Sequence, residues 1–390
     1  MTDPLADPIT DPILAWARAQ QPALIDMLRH LVESESPSDS AADVDRCQDL
    51  FVSLLANEAN FSVLNTPGYG KQSACKFRLP GPAKRTGKIL ALGHMDTVWP
   101  LGTLAKMPFR EADGRLWGPG VLDMKAGLVF FVFAMRALRE LDIPIASDVL
   151  LQINSDEEVG SPVSRGLTEK NALESKAVLV LEPGTGLGGN AKTARKGIGR
   201  YELTAYGVAS HAGVDFEKGA SAIVELSRQI VRMADFVDLK HGVTINPGTL
   251  SGGTRSNVVA AEAKTEIDFR VPRMADFDTL NRHFQSLEPI DPLCSLVLTG
   301  GLNRPPMERS KGVVALYELA KKAAKELGID LEESSTGGGS DGNFTAALGI
   351  PTLDGIGAVG EGAHANYESI LVDRIADRVA LLAKLVAAIS

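Results

Sequence analysis

At 390 residues, 44% hydrophobic and 23% charged, the chain is long enough for more than one core and too apolar for a disordered or coiled-coil protein. A formal charge of -9, without clustered Lys and Arg, excludes a nucleic acid or an anionic membrane as the expected partner. Cys47, Cys75 and Cys294 are odd in number and far apart, so they form neither a disulfide framework nor a thiolate metal site.

Asp-Pro recurs at Asp3-Pro4, Asp7-Pro8 and Asp11-Pro12, and each proline pushes its predecessor out of the helical region, so residues 1–12 read as a disordered tail. This opening lacks the basic and then apolar run of a signal peptide, and no segment is long enough to span a bilayer, so a cytoplasmic location is expected. Apolar spacing predicts helices from Ile13 to Val32 and from Asp43 to Ala59. Short apolar runs predict strands at Lys88 to Gly93, Val149 to Asn154 and Ala177 to Leu181, with a helix from Met124 to Leu141 between the first two. Strand alternating with helix implies an α/β domain with a mixed, mostly parallel, helix-covered sheet.

The rhythm changes after Gly197. Strands at Ile198 to Tyr206, Val243 to Leu250, Val258 to Val271 and Leu296 to Thr299, with helices at Ala220 to Phe236 and Phe277 to Leu287, fit a small ferredoxin-like α+β sandwich. A helix from Gly312 to Leu327 and a strand near Ile350 to Leu353 then resume the first pattern. Residues 197–306 are therefore expected to be an insertion between two parts of one catalytic domain, 13–196 and 307–390.

Ligand-type residues cluster at the carboxyl ends of the predicted strands. His94 and Asp96 follow the first run, Asp156, Glu157 and Glu158 the second, and Glu182 the third. One such cluster is ordinarily a solvated loop. Three at the edge where open α/β sheets bind ligands point to convergence in space. Asp123 follows the glycines of Gly118-Pro-Gly120 and precedes a helix, where it is either a ligand or an N-cap. His364 lies in the Gly-rich stretch Gly360 to Glu368. Imidazole and carboxylate without thiolate suit zinc, and one carboxylate can bridge two ions about 3.5 Å apart; cobalt or manganese accept the same ligands. Such a pair acidifies a trapped water while a carboxylate that is not a ligand takes its proton. Glu157 and Glu158 supply both kinds, and spacing alone does not say which is which. Asp96 is placed to hold the second nitrogen of His94.

Gly93-His-Met-Asp-Thr-Val98, Gly118-Pro-Gly-Val-Leu-Asp-Met-Lys125, Ser155-Asp-Glu-Glu-Val-Gly-Ser161, Leu181-Glu-Pro183, Ser210-His-Ala-Gly213 and Thr336-Gly-Gly-Gly-Ser-Asp341 stand in the order and spacing of a known family. From about Leu24 onward the chain resembles the di-zinc metallopeptidases that include glutamate carboxypeptidase, acetylornithine deacetylase, succinyl-diaminopimelate desuccinylase and aminoacylase. The resemblance implies that His94 and Glu182 hold one zinc, Glu158 and His364 the other, and Asp123 bridges, with a cis peptide after it. It implies Glu157 as general base and then acid, and an inserted lid that forms a homodimer. His211 of the lid would reach the partner's active site as an oxyanion donor, with Asn257 beside it. Arg270 and Arg304 align with arginines that bind substrate carboxylate. Gly338, at the centre of Gly337-Gly-Gly339, would let backbone approach the substrate closely. Met124 stands where glutamate carboxypeptidases commonly carry another acid, and Arg195-Lys196-Gly197 replaces their small polar residues; both differences bear on the pocket that reads the side chain.

The expected activity is hydrolysis of an amide next to a free carboxylate in an N-acyl amino acid or short peptide, by hydroxide generated on the metals. Within the family the alternatives are a deacetylase, a desuccinylase or a dipeptidase. Outside it, the alternative is a metal-dependent binding protein without catalysis.

Overall fold

A computed structural model of the chain describes residues 11–55 and 57–390. It divides into two compact units, one running to Ala194 and resuming over Arg309–Ser335 and Ser340–Ser390, the other comprising Arg195–Glu308 and Thr336–Gly339. Most of the tail expected over 1–12 lies outside the described residues. Asp11 and Pro12 belong to the first helix instead: Pro12 occupies its first turn, where no amide is needed, and the Asp11 carboxylate accepts from Ile13 N at 2.9 Å and Leu14 N at 3.2 Å.

The first unit is built on a sheet whose strands run in the order Ala59–Thr66, Gly70–Phe77, Asp148–Asn154, Lys88–His94, Ala177–Val180 and Thr352–Leu353. The first two pairings are antiparallel and the rest parallel. Lys88–His94 is buried along almost its whole length, as a central parallel strand covered on both faces must be. One cover is the helix Ala126–Glu140, apolar on nearly every side and buried from Ala126 to Met135. It packs with Pro12–Glu33 and the C-terminal helix Ile375–Ile389 in one continuous core. The helix expected to reach Ala59 ends at Leu54, and Ala59 opens the hairpin with Gly70–Phe77. Ala59–Thr66 is an edge strand exposed along most of its length, so it lacks the apolar alternation that announces a half-buried strand.

The second unit is an antiparallel sheet ordered Thr244–Pro247, Glu262–Val271, Gly197–Tyr206, Ser295–Arg304, with Ser251–Gly252 paired to Glu262–Val271. Alternate residues of Glu262–Val271 are buried. Ile267 and Phe269 pack there with Tyr201, Leu203, Leu226, Leu280 and Phe284 under the helices Ala222–Met233 and Met274–Gln285. Tyr201 stacks on Phe269 with ring centroids 5.1 Å apart. This order is the ferredoxin-like one. The strand expected over Val243 to Leu250 covers only Thr244–Pro247; past it Gly248 N still donates to Glu266 O at 2.8 Å, but Glu266 N turns to Thr249 Oγ1, and pairing of the next long strand starts at Glu262 rather than Val258. The Thr336–Gly339 segment belongs to this unit, although the reading from sequence placed it in the block 307–390.

All three cysteines are buried free thiols, and burial pushes Cys75 up to about 12, out of reach of thiolate chemistry. Among the described residues no helix is long and apolar enough to cross a membrane.

Candidate metal centre

His94 is the last residue of its strand, paired in register with Asn154, so the loops that follow these neighbouring parallel strands open at the same edge. His94 Nδ1 lies 2.9 Å from the main-chain oxygen of Asp96. A carbonyl can only accept, so Nδ1 carries a hydrogen, which leaves Nε2 as the nitrogen a cation would take. That Nε2 is buried without a hydrogen-bond partner, 3.3 Å from Asp123 Oδ1 and 3.5 Å from Glu182 Oε1. The other oxygen of Asp123 lies 3.3 Å from His364 Nε2, which is 3.2 Å from Glu158 Oε2. One carboxylate thus faces two imidazoles, each flanked by a glutamate. The ligand atoms of His94, Glu157 and Glu182 also fall within 4.8 Å of one another.

Local structure fixes these positions. The Asp96 carboxylate, fully buried, accepts from Ser38 Oγ at 2.8 Å, Glu157 N at 3.2 Å and Glu158 N at 3.1 Å. Asp96 meets the second nitrogen of His94 through its main-chain oxygen, with the nearer carboxylate oxygen 3.4 Å from Nδ1, and its side chain also orients the Glu157–Glu158 turn. Asp156 is buried and accepts from Val163 N at 2.8 Å and Ser164 N at 3.1 Å, closing its own loop. Asp341 accepts from Asn154 Nδ2 and Ser161 Oγ, bracing both ends of that loop.

Asp123 is not an N-cap. The helix starts at Ala126, and Asp123 sits in a non-helical turn with a cis peptide to Met124, as the resemblance implied. Gly120 is left-handed, φ 71°, and a Cβ there would come within 2.6 Å of Thr97, so only glycine fits the turn before Asp123. Glu368, which the sequence reading passed over, is fully buried beneath it. Its carboxylate accepts from Gly120 N at 2.9 Å, Leu122 N at 2.8 Å, Asp123 N at 3.0 Å and the Trp99 indole at 2.7 Å. Burial pushes this carboxyl up to about 7, while the four donors favour the ionised form. No local signal marks Glu368, because its partners are 245 or more residues away.

The electrostatics call for cations. Burial alone would lower His94, yet Asp123, Asp96 and Glu182 hold it well above the ordinary histidine value. Asp123 and Glu158 draw His364 up to about 10. Burial works to raise Asp123, but the His364 and His94 imidazoles keep it low; burial raises Glu158 against the pull of His364. Buried polar atoms nearly always have partners, so the unpartnered His94 Nε2 and Glu158 Oε1 mark where ligand lone pairs point. The set is nitrogen and oxygen throughout, donors that suit a divalent cation.

The remaining candidates lie in the second unit. His211 is exposed and its Nδ1 accepts from Gly213 N at 3.1 Å. A bridge from His211 to Val258 and a bond from Ala212 N to Asn257 O set His211 and Asn257 side by side. Arg270 pairs with Asp268 at 2.9 and 3.0 Å and reaches Gly337 O at 3.3 Å. Arg304 is buried, and a Cβ on Gly339 would come within 2.8 Å of its Cδ and 2.6 Å of Ile198. Arg195, given no role from sequence, donates to the carbonyls of Gly338 and Gly339 at 3.2 and 2.9 Å. Three arginines therefore meet the Gly337–Gly339 segment.

The sequence description of peptidase family M20/M25/M40 matches residues 90–388. Carboxypeptidase G2 of Pseudomonas sp. (strain RS-16) is 30% identical over 378 residues, 95% of this chain and 90% of the relative. Acetylornithine deacetylase of Proteus mirabilis is 28% identical over 289 residues, 69% of this chain and 72% of the relative. Among solved structures, the aminopeptidase PepT of Bacillus cereus is similar in fold, with a TM-score of 0.76 at 23% identity over 95% of this chain and 98% of that one. A dinuclear metal-binding peptidase of the M20 family from Bacillus subtilis gives 0.66 at 15% identity over 95% and 99%.

Proposed function

The chain belongs to the M20/M25/M40 peptidase family and is a hydrolase of amide bonds, and from that premise we propose that it is a di-zinc carboxypeptidase releasing a C-terminal amino acid from an N-acyl amino acid or short peptide. The observation that carries the reading is Asp123, one oxygen toward His94 and the other toward His364. When bound, the two ions acidify a shared water and polarise the scissile carbonyl. Glu157, beside His94 and Glu182, takes the water's proton and passes it to the departing nitrogen. Arg270 and Arg304 receive the substrate's free carboxylate, a role suited to forked guanidinium donors. Gly338 offers its backbone to the substrate.

His211 donates to the developing oxyanion in the active site of a second subunit, with Asn257 beside it. Support for a homodimer through the second unit comes from its apolar surface, where Phe216 is 66% and Val224 47% exposed around one groove. The preference for a C-terminal amino acid rests on the likeness to carboxypeptidase G2, and glutamate comes first among them from the resemblance of the motifs to glutamate carboxypeptidases. Likeness to an acetylornithine deacetylase supports the second reading, release of a small acyl group.

The test is to load the protein with zinc and supply C-terminal glutamyl peptides and folate-like glutamates beside N-acetyl and N-succinyl amino acids. Release of a C-terminal amino acid is the expected result. Preferential release of acetate or succinate moves the assignment to the deacylases, and no zinc-dependent hydrolysis of any member refutes it.

A further inference from the structure

Three segments meet beside the candidate ligands: the loop after His94, the turn ending at Asp123, and the loop from His364 onward. A single side chain touches all three. Glu368 lies four residues past His364, and its backbone turns back on the same loop through Glu368 N to Ala365 O at 2.9 Å. Its Oε1 accepts from Leu122 N and Asp123 N, the amide of the proposed bridging residue itself. Its Oε2 accepts from Gly120 N and from the Trp99 indole, which belongs to the loop after His94. The neighbouring Ser369 is paired in register with Trp117, so the chain on either side of Glu368 is held against the segment leading to Asp123.

We propose that Glu368 is a positioning residue that clamps these three loops together and so sets the spacing and affinity of the paired ions. The inference rests on the dimetal reading above. Four N–H groups converge on the carboxylate, two on each oxygen, so both oxygens accept. A glutamine of the same size has one such oxygen. Its amide would turn hydrogens toward two N–H groups that cannot receive them, and the Asp123 turn or the Trp99 loop must then give way. Aspartate is one methylene short of reaching across.

The experiment compares metal-free wild-type, Glu368→Gln and Trp99→Phe proteins by circular dichroism and thermal unfolding, then titrates each with cobalt(II), reading ion stoichiometry and the visible d–d spectrum. Zinc affinity is measured by competition with a chromogenic chelator. Wild type is expected to take two ions. Glu368→Gln, with its secondary structure intact, is expected to bind them about 10- to 100-fold more weakly and with an altered cobalt spectrum, the size of effect known for residues that orient ligands. Trp99→Phe removes one of the four donors and is expected to shift affinity in the same direction by less. Wild-type affinities and spectrum in Glu368→Gln overturn the proposal, even if that variant melts earlier, because a merely structural residue would lower the melting temperature alone. Should Glu368→Gln not fold, an unchanged Trp99→Phe overturns it instead. Wild type that takes up no ion pair sinks the dimetal reading and this proposal with it; a wild-type pair that the variants keep unaltered sinks the proposal alone.

Discussion

Replacing Glu157 by alanine separates a proton carrier from a metal ligand. The carboxylate lies close enough to His94 and Glu182 to be either. As a base it acts twice, taking the proton from water and giving it to the leaving nitrogen, and a positioned general acid–base is worth about 10²–10⁴ in rate. The upper part of that range is expected here, because no neighbour can take over. Asp96 is occupied by Ser38 and the amides of Glu157 and Glu158, Asp156 by Val163 and Ser164, and Glu158 by His364. Glu157→Ala should therefore lose about 10³–10⁴ in kcat, roughly 4–5.5 kcal/mol of transition-state stabilisation, while both ions stay. The assay is steady-state hydrolysis of the best substrate from the panel, with ion content by atomic emission on the same sample. A variant that keeps more than about a tenth of wild-type kcat, or that gives up an ion, refutes the reasoning.

Asp123→Asn replaces one of two opposed oxygens by an NH₂ that faces an imidazole nitrogen; it should shed at least one ion and lose more activity than the ~10- to 100-fold typical of outer residues, and ion counting that finds the full pair contradicts the bridge. His211→Ala should keep both ions and lose about 10²–10³ in kcat, as for removal of an oxyanion donor; a fully active monomer on size exclusion contradicts the cross-subunit role. Asp11 offers a test by pH. Burial works to raise its carboxyl, but Lys384 at 2.7 Å and the amides of Leu14 and Ile13 hold it below the ordinary aspartate value. Stability from this lowered group is present above the unfolded value and lost as pH falls through the folded one. Asp11→Asn, which can still cap, should cost about 0.5–1 kcal/mol at pH 7 and progressively less as pH falls below the ordinary aspartate value; a loss in urea unfolding that does not shrink over that range would count against the pairing.

Why some of this was legible in the sequence and some was not has a physical basis. His94, the Asp156–Glu158 run and Glu182 sit just past buried parallel strands, whose unbroken apolar runs are the plainest signal a sequence carries. Their convergence follows from the sheet. The hairpin Ala59–Phe77 escaped because its first strand is an exposed edge and its second buries polar Gln72 and Ser73, paired with Ser155 and Gln48. That the main-chain oxygen of Asp96 lies nearer His94 Nδ1 than its carboxylate does was not legible, since spacing cannot tell a residue's carbonyl from its carboxylate. Glu368, Asp341 and Arg195 owe their places to contacts made across more than 140 residues, and nothing beside them in the chain foretells such partners.

The sheet of the first unit takes its last strand, Thr352–Leu353, from beyond the inserted unit, and the same stretch delivers His364, Glu368 and the helix Ile375–Ile389 that seals the core. On the ribosome, every candidate ligand through Glu182 has been made long before those pieces exist. Until the chain beyond the insertion is made, a nascent chain therefore carries an unfinished sheet edge and an uncovered apolar helix, the condition in which chains stick to one another. The candidate site is therefore incomplete until the chain beyond the insertion is made, since His364 and Glu368 both follow it.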